Sequence, residues 1–474
     1  MTEVSPMPQG EPNQIRTAAS TFHGYDQVVR NGVTSQNQKA RGISLLALNA
    51  ALRAVDPSLC LESALRISKG RVHVQNFTLT LSRFKRIVVV AVGKASSSMM
   101  KTTLSSLDNW NAHGILIVPK GQKIPKFDDR VEIFFAGHPL PDEVGEKAAE
   151  RVITVAQGMT KNELLICLIS GGASAMLPAP PSSIPLKDKT AATSRLIRSK
   201  ATIHEINTVR RHLSRIKGGR LAELSHASTI ISFIMSDVTG NPLHDIASGP
   251  TAPDPTTYLD AVQVLKNHGL WQDAPFTVKS YLIKGLNHKL PDTPKQGNPV
   301  FRRVHNFVIA DSHIACLGAK RAMERRGIPA SIVSSTVDME AKCMAQLLAS
   351  IANDKVRLRE QGAVIFGGET TVEVHGNGLG GRNQETALYA AGRLSGLDGI
   401  AVAAMGTDGI DGHSTAAGAI VDGRTNERAR KRRLDMGEFL DQNDSFSFFR
   451  KLKDNLMTGR TGTNVGDIYL VVSV

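Results

Sequence analysis

Arg86-Ile87-Val88-Val89-Val90-Ala91-Val92-Gly93-Lys94-Ala95-Ser96 is the stretch that decides the fold. Its first seven residues are almost all apolar and β-branched, without polar alternation. That pattern suits a strand buried on both faces, as in a parallel sheet covered by helices. Gly93 then allows a sharp turn into a helix expected over 95–104, whose free N–H groups would face an anion. Similar apolar strands are expected at 114–118, 131–135, 164–169 and 229–235, with helices at 143–156 and 186–200 between them. Short buried strands alternating with helices indicate an α/β fold with a mainly parallel sheet.

Residues 284–299 are rich in Pro, Gly, Asn and Lys and read as a linker. A second series follows, with strands expected at 305–310, 330–334, 362–366, 371–375, 400–405 and 467–472. The division expected is therefore 1–41 as a disordered tail or weak targeting segment, 42–295 as a Rossmann-like α/β/α domain, and 296–474 as a smaller α/β domain. The cleft between two such lobes is a common place for a ligand. Residues 1–41 carry Glu3, Glu11 and Asp26 among their arginines, which suits a transit peptide poorly.

With 57 Lys and Arg against 43 Asp and Glu, the chain has a formal charge of +14 and attracts anions. The charge is spread out and aromatic residues are only 5%, which argues against nucleic acid as the partner. The dense run Arg428–Arg433 is read as a solvated helix surface after a turn. No apolar run approaches the roughly 18 residues that span a bilayer, so a soluble protein without a membrane partner is expected. Cys60, Cys167, Cys316 and Cys343 have no metal-ligand spacing and suit a reducing compartment. A cytoplasmic location is expected, with a mitochondrial one left open; a homodimer is compatible with the sequence.

In open α/β sheets, ligands bind beyond the carboxyl ends of strands, and the glycine-dense charged segments fall there repeatedly. Gly93-Lys94-Ala95-Ser96 offers a turn, amides and a point charge, or is a plain strand–helix turn. Ser170-Gly171-Gly172-Ala173-Ser174 permits close backbone approach to phosphate or carboxylate, or only a tight turn. Asp237, just past a strand, could hold a metal or accept a proton, or cap a helix. Gly376, Gly378, Gly380 and Gly381 precede Arg382, a fork suited to phosphate, after an expected hairpin. Glu369 could bind magnesium or a hydroxyl, and Gly406–Gly412 places Asp408 and Asp411 on a further turn. There is no GxSxG nucleophile elbow and no HExxH. Glycine turns bearing Lys, Arg and Asp are what phosphoryl transfer needs, since its transition state wants positioning and charge neutralisation.

In order and spacing, AVGKAS, GHPLPDEVG, LISGGASAMLPAP, INTVRRHLSRIKGGRLA, SDVTGNPLHDIASGPTAPDP, GGETTVEVHGNGLGGRNQE, GTDGIDG and TGTNVGD resemble the class II glycerate kinases, whose C-terminal half is called the MOFRL domain. The resemblance runs from about Leu48 to the C-terminus. It implies transfer of the ATP γ-phosphate to D-glycerate, giving 2-phosphoglycerate, with magnesium as cofactor. It also implies Lys94, Asp237 and Arg382 as catalytic residues. Gly93, Ser96, Ser170, Gly171, Gly172, Asn207, Arg210, Glu369, Gly380, Gly381, Asn383 and Asp408 are implied as substrate or nucleotide contacts, with Asp237 and Asp408 as magnesium ligands. Ala173 replaces a glycine more usual in the family. The rival activity is a hydroxypyruvate reductase using NAD(P)H, which should show GxGxxG directly after the first strand and an acid about 20 positions later. Gly93-Lys94 does not provide this.

Overall fold

The structure, a computed structural model, describes residue 19 and residues 21–474. Strand Arg86–Val92 lies inside a six-stranded sheet and is hydrogen-bonded on both sides in parallel, to Ala112–Pro119 and to Glu163–Ile169. Val131–Ala136 lies beyond the first neighbour, and Thr229–Met235 and then Val304–Ala310 lie beyond the second. The chain thus builds outward in one direction from Arg86–Val92, returns, and builds outward in the other. This is the Rossmann strand order, and its reversal falls between Arg86–Val92 and Glu163–Ile169. The all-apolar reading of the opening stretch holds, because Ile87 to Val92 are all buried.

Two compact units divide the chain: residues 57–310, and residues 1–56 together with 311–474. The boundary expected at 295 falls elsewhere because Val304–Ala310 completes the parallel sheet of the first unit. The expected linker is pinned within that unit. Thr293 Oγ1 donates to Asp254 (3.0 Å), Arg220 donates to the Pro291 carbonyl (3.2 Å), and Asp292 lies 3.0 Å from His212. The helices Leu186–Arg198, Ile203–His212, Tyr258–Asn267 and Phe276–Leu286 gather a separate apolar core around Leu196, Val209, Leu265 and Leu282. A meander of three short strands, 66–80, was not foreseen; its Phe77 ring packs 4.0 Å from that of His305.

The expected tail is folded over its later part. Tyr25–Arg30 and Ser35–Ala54 are helices, the second capped by Thr34 accepting from the Asn37 amide. Residues 1–18 lie outside the described residues. Ser35–Ala54 packs on helix Ser312–Glu324 and on strands Ile400–Gly406 and Asp467–Ser473 of the other half of its unit. Arg41, fully buried on this helix, pairs with Asp422 and, at 2.8 Å, with Asp454, which also takes Arg428. Burial opposes the Arg41 charge, but Asp454 and Asp422 more than compensate and hold the guanidinium ionised.

The sheet of this second unit is mixed, not mainly parallel. Ala330–Glu340 and Gly362–Thr371 are parallel; Asp467–Ser473, Ile400–Gly406, Gly418–Asp422 and Asn455–Leu456 continue the sheet in antiparallel pairs. The hairpin expected around 371–375 is absent, since Gly362–Thr371 runs as one strand into a loop. Arg428 belongs to the helix Thr425–Lys431, and its neighbours Lys431 and Arg424 both pair with Glu427. Among the described residues no single helix is long and apolar enough to cross a membrane.

Candidate active site

In the first unit, register places Val92 beside Ile169, and Leu168 beside Phe233. The turns that follow these strands therefore emerge at one sheet edge, and two of them flank the strand-order reversal. The Gly93 and Ser170 turns are stitched together: the Lys94 amide donates to the Gly171 carbonyl (3.0 Å) and the Ala95 amide to Ser170 Oγ (3.1 Å). Gly93 has φ +124°, and a Cβ there would sit 2.2 Å from Ser170 Oγ. Gly93→Ala should therefore displace the Ser170 turn, cost on the order of 1–3 kcal/mol, and reduce activity. Thermal unfolding and turnover measured together would check this; an unchanged variant would show the close approach to be dispensable.

Gly172 (φ +87°) begins the short helix Ala173–Met176, and its missing side chain leaves room for the His138 ring. Asp237 is half-buried just past Thr229–Met235, on the same edge. Ser96 is internal, with its hydroxyl 2.7 Å from the Gly93 carbonyl, and braces the turn instead of facing a ligand. Asn207 is also buried: it donates to the Asp245 carbonyl (3.1 Å) and accepts from Ser248 Oγ (2.8 Å), which lies 3.1 Å from Ser174 Oγ. Ala247 and Ser248 both have positive φ, near 53° and 59°. This unusual turn is held by Gly218 and Gly219, whose amides donate to the Ser248 and Gly249 carbonyls. Arg211 fixes the same turn through Asp245 (2.8 Å) and Asp254 (2.9 Å).

Arg210 is where the resemblance placed an anion contact, and it does not stand alone. Together with Lys189 and Lys217 it lines a cavity walled by Pro139, Leu140 and Pro178 and bordered by Ser174. Both lysines are buried, and Lys189 Nζ makes no hydrogen bond. Among the described residues none of the three cations has a carboxylate ion pair. Burial, reinforced by Arg210 beside it, pulls the Lys189 ammonium down to about 7, and burial with Lys189 nearby lowers Lys217 further below its usual value. Burial also lowers Arg210. The two lysines were missed because a lysine letter carries no burial: Lys217 sits in the quoted IKGGRLA run, and Lys189 on a helix of ordinary amphipathic spacing.

In the second unit, Arg382 is engaged. Its Nε and Nη2 donate to Asp467 at 2.5 and 3.0 Å, and Nη1 lies 2.6 Å from Glu369. Glu369, expected on magnesium or a hydroxyl, is thus the partner of Arg382. Burial opposes the arginine's charge, but Asp467, ahead of Glu369, raises its pKa overall. The glycines before it serve close packing. A Cβ on Gly376 would sit 2.3 Å from the Gln442 carbonyl oxygen, one on Gly380 2.2 Å from Ser445 Oγ, and one on Gly381 2.4 Å from Asp411. Asn383 is buried, and its backbone and side-chain N–H groups face Asp411 at 3.1 and 3.3 Å. Asp408 is half-buried and accepts from the Ile410 amide (3.1 Å).

Asp411 caps helix Arg382–Arg393, also accepting from the Gln384 amide (2.8 Å) and side chain (2.9 Å). Burial nevertheless pushes its carboxyl up from 3.8 to about 6. Because the folded value exceeds the unfolded one, the contribution is complete below 3.8 and lost as pH rises through about 6. The stability difference between wild type and Asp411→Asn should shrink by a few kcal/mol from pH 4 to 7. A difference that grows instead would mean that the four donors hold the carboxylate ionised.

A Rossmann-order sheet with cationic, amide-rich turns at its switch point defines an α/β enzyme that handles anions. The profile described as a domain of unknown function (DUF4147) matches residues 44–283, and that of the MOFRL family matches 362–467. A glycerate 2-kinase of Pyrococcus horikoshii is 36% identical over 91% of this chain and 97% of its own length. A D-glycerate 2-kinase of Thermotoga maritima is 38% identical over 83% of this chain and 92% of its own. The crystal structure of glycerate kinase from Thermotoga maritima superposes with TM-score 0.79, covering 91% of this chain and 99% of that one at 35% identity. The chain belongs to the glycerate kinase family built from these two domains.

Proposed function

We propose that the protein transfers the γ-phosphoryl group of ATP to the 2-hydroxyl of D-glycerate, giving 2-phosphoglycerate and ADP. The observation that carries this reading is the trio Lys189, Arg210 and Lys217 beside Ser174, which among the described residues have no carboxylate partner. A polyanion is what such a site lacks. The hydroxyl oxygen attacks phosphorus, the bond to the β-phosphate bridging oxygen breaks, and the hydroxyl proton passes to Asp237. Lys94 and the turn amides offset charge on the transferring group. Magnesium would supply further charge neutralisation, and half-buried Asp237 is an oxygen donor of the kind it takes. Arg382 keeps two nitrogens on Asp467, so an incoming phosphate would exchange with Glu369 at Nη1.

A reductase is disfavoured by the first turn, where Gly93 is needed against Ser170 and no GxGxxG follows. Purified protein given D-glycerate, magnesium and ATP should form ADP and 2-phosphoglycerate. Consumption of hydroxypyruvate and NADH alone would overturn the proposal.

A further inference from the structure

We infer that Lys189, Arg210 and Lys217 form a dedicated seat for a small oxyanion, a carboxylate or phosphoryl group, and that Lys189 and Lys217 are ligands to it. Resting on the kinase reading, the seat would hold the charged end of the hydroxy acid or of its phosphorylated product.

Three cations from separate segments converge here. Lys189 comes from helix Leu186–Arg198, Arg210 from helix Ile203–His212, and Lys217 from the turn before helix Arg220–Leu224. Lys189 is 4% exposed and Lys217 2%, so neither ammonium is hydrated as a surface lysine would be. Lys189 Nζ has no hydrogen bond, and Lys217 Nζ has only the Ala247 carbonyl at 3.4 Å. The acid felt by Lys189 is Glu146, which forms no ion pair with it. Buried lysines without a counter-ion destabilise a fold whether they stay charged or give up the proton, so their convergence on one cavity points to a ligand that supplies the missing charge. The cavity of about 30 Å³ has room for a group of a few atoms. Its wall includes Ser174, on the short helix that follows the Gly171–Gly172 turn, so the seat is continuous with the site already described.

The test uses the full chain and the variants Lys217→Met and Lys189→Met, which keep length and remove charge. Without ATP, calorimetric titration with inorganic phosphate, with D-glycerate and with uncharged glycerol separates the sources: a carboxylate seat takes glycerate, a phosphoryl seat takes phosphate, and glycerol is ignored. Each variant should weaken the bound anion at least tenfold and raise the KM for glycerate more than it lowers kcat. In anion-free buffer each variant should melt at a higher temperature than wild type, because folding no longer has to bury that ammonium or strip its proton. This readout also excludes misfolding as the cause of lost binding. Wild-type affinity in both variants, or lower melting temperatures with unchanged KM, would overturn the inference while leaving the kinase reading intact. Anion binding that the variants abolish, in a protein that never phosphorylates glycerate, would keep the seat and remove the kinase reading.

Discussion

Arg41→Ala should destabilise the protein by about 3–5 kcal/mol, the usual consequence of removing one partner from a fully buried ion pair. The substitution leaves Asp422 and Asp454 with zero side-chain exposure and only Arg428 to offset them. It also removes the hydrogen bond from Nη1 to the Val28 carbonyl (2.9 Å), which ties Tyr25–Arg30 to the helix carrying Arg41. For a unit of this size the midpoint of thermal unfolding should fall by roughly 10 °C. Adding Asp422→Asn should recover part of the loss, since the penalty comes mainly from the stranded carboxylate. A midpoint within a degree of wild type would show that Asp454 and Arg428 suffice without Arg41.

The second large effect is catalytic. Lys94→Ala should lower kcat by a factor of about 10² to 10³, the scale seen when a group stabilising transition-state charge is removed. Folding should be retained, because the backbone of Lys94, not its side chain, makes the bond to Gly171. Arg382→Ala should cost as much in rate but also strand the buried Asp467, so Arg382→Lys is the cleaner companion. It keeps the charge and loses the two-nitrogen fork. Steady-state turnover beside circular dichroism would check all three, and wild-type turnover in Lys94→Ala would remove that residue from the catalytic set.

The parallel sheet was legible from residues because its strands are buried on both faces and read as unbroken apolar runs. Ile87–Val92 and Leu164–Ile169 left little else to choose. Strand direction in the second unit was not legible. Asp467–Ser473 is equally apolar, and nothing in DIYLVVS tells whether its neighbours run with or against it. The opening turns of the helix holding Arg41, residues 35–41, read as tail because the partners of Arg41, Asp422 and Asp454, lie at the other end of the sequence. At the site, the glycine letters carried a second demand that the sequence does not show. Besides the phosphate cradle read from Gly376, Gly378, Gly380 and Gly381, the neighbouring Gln442–Ser445 segment and Asp411 occupy the space that side chains there would fill. Composition cannot separate a glycine that admits a ligand from one that admits the protein's own backbone.

The unit built from residues 1–56 and 311–474 is discontinuous, and the intervening 57–310 form a unit by themselves. During synthesis the intervening unit has all its strands once Ala310 has left the ribosome, and it can close its sheet at once. The helices Tyr25–Arg30 and Ser35–Ala54 emerge before it yet must stay unpaired until Asp422 and Asp454 have been translated. Helices made before the intervening unit are thus among the last to find their place, and nascent chains halted before Asp422 should leave them open to protease while the sheet around Arg86–Val92 is already protected.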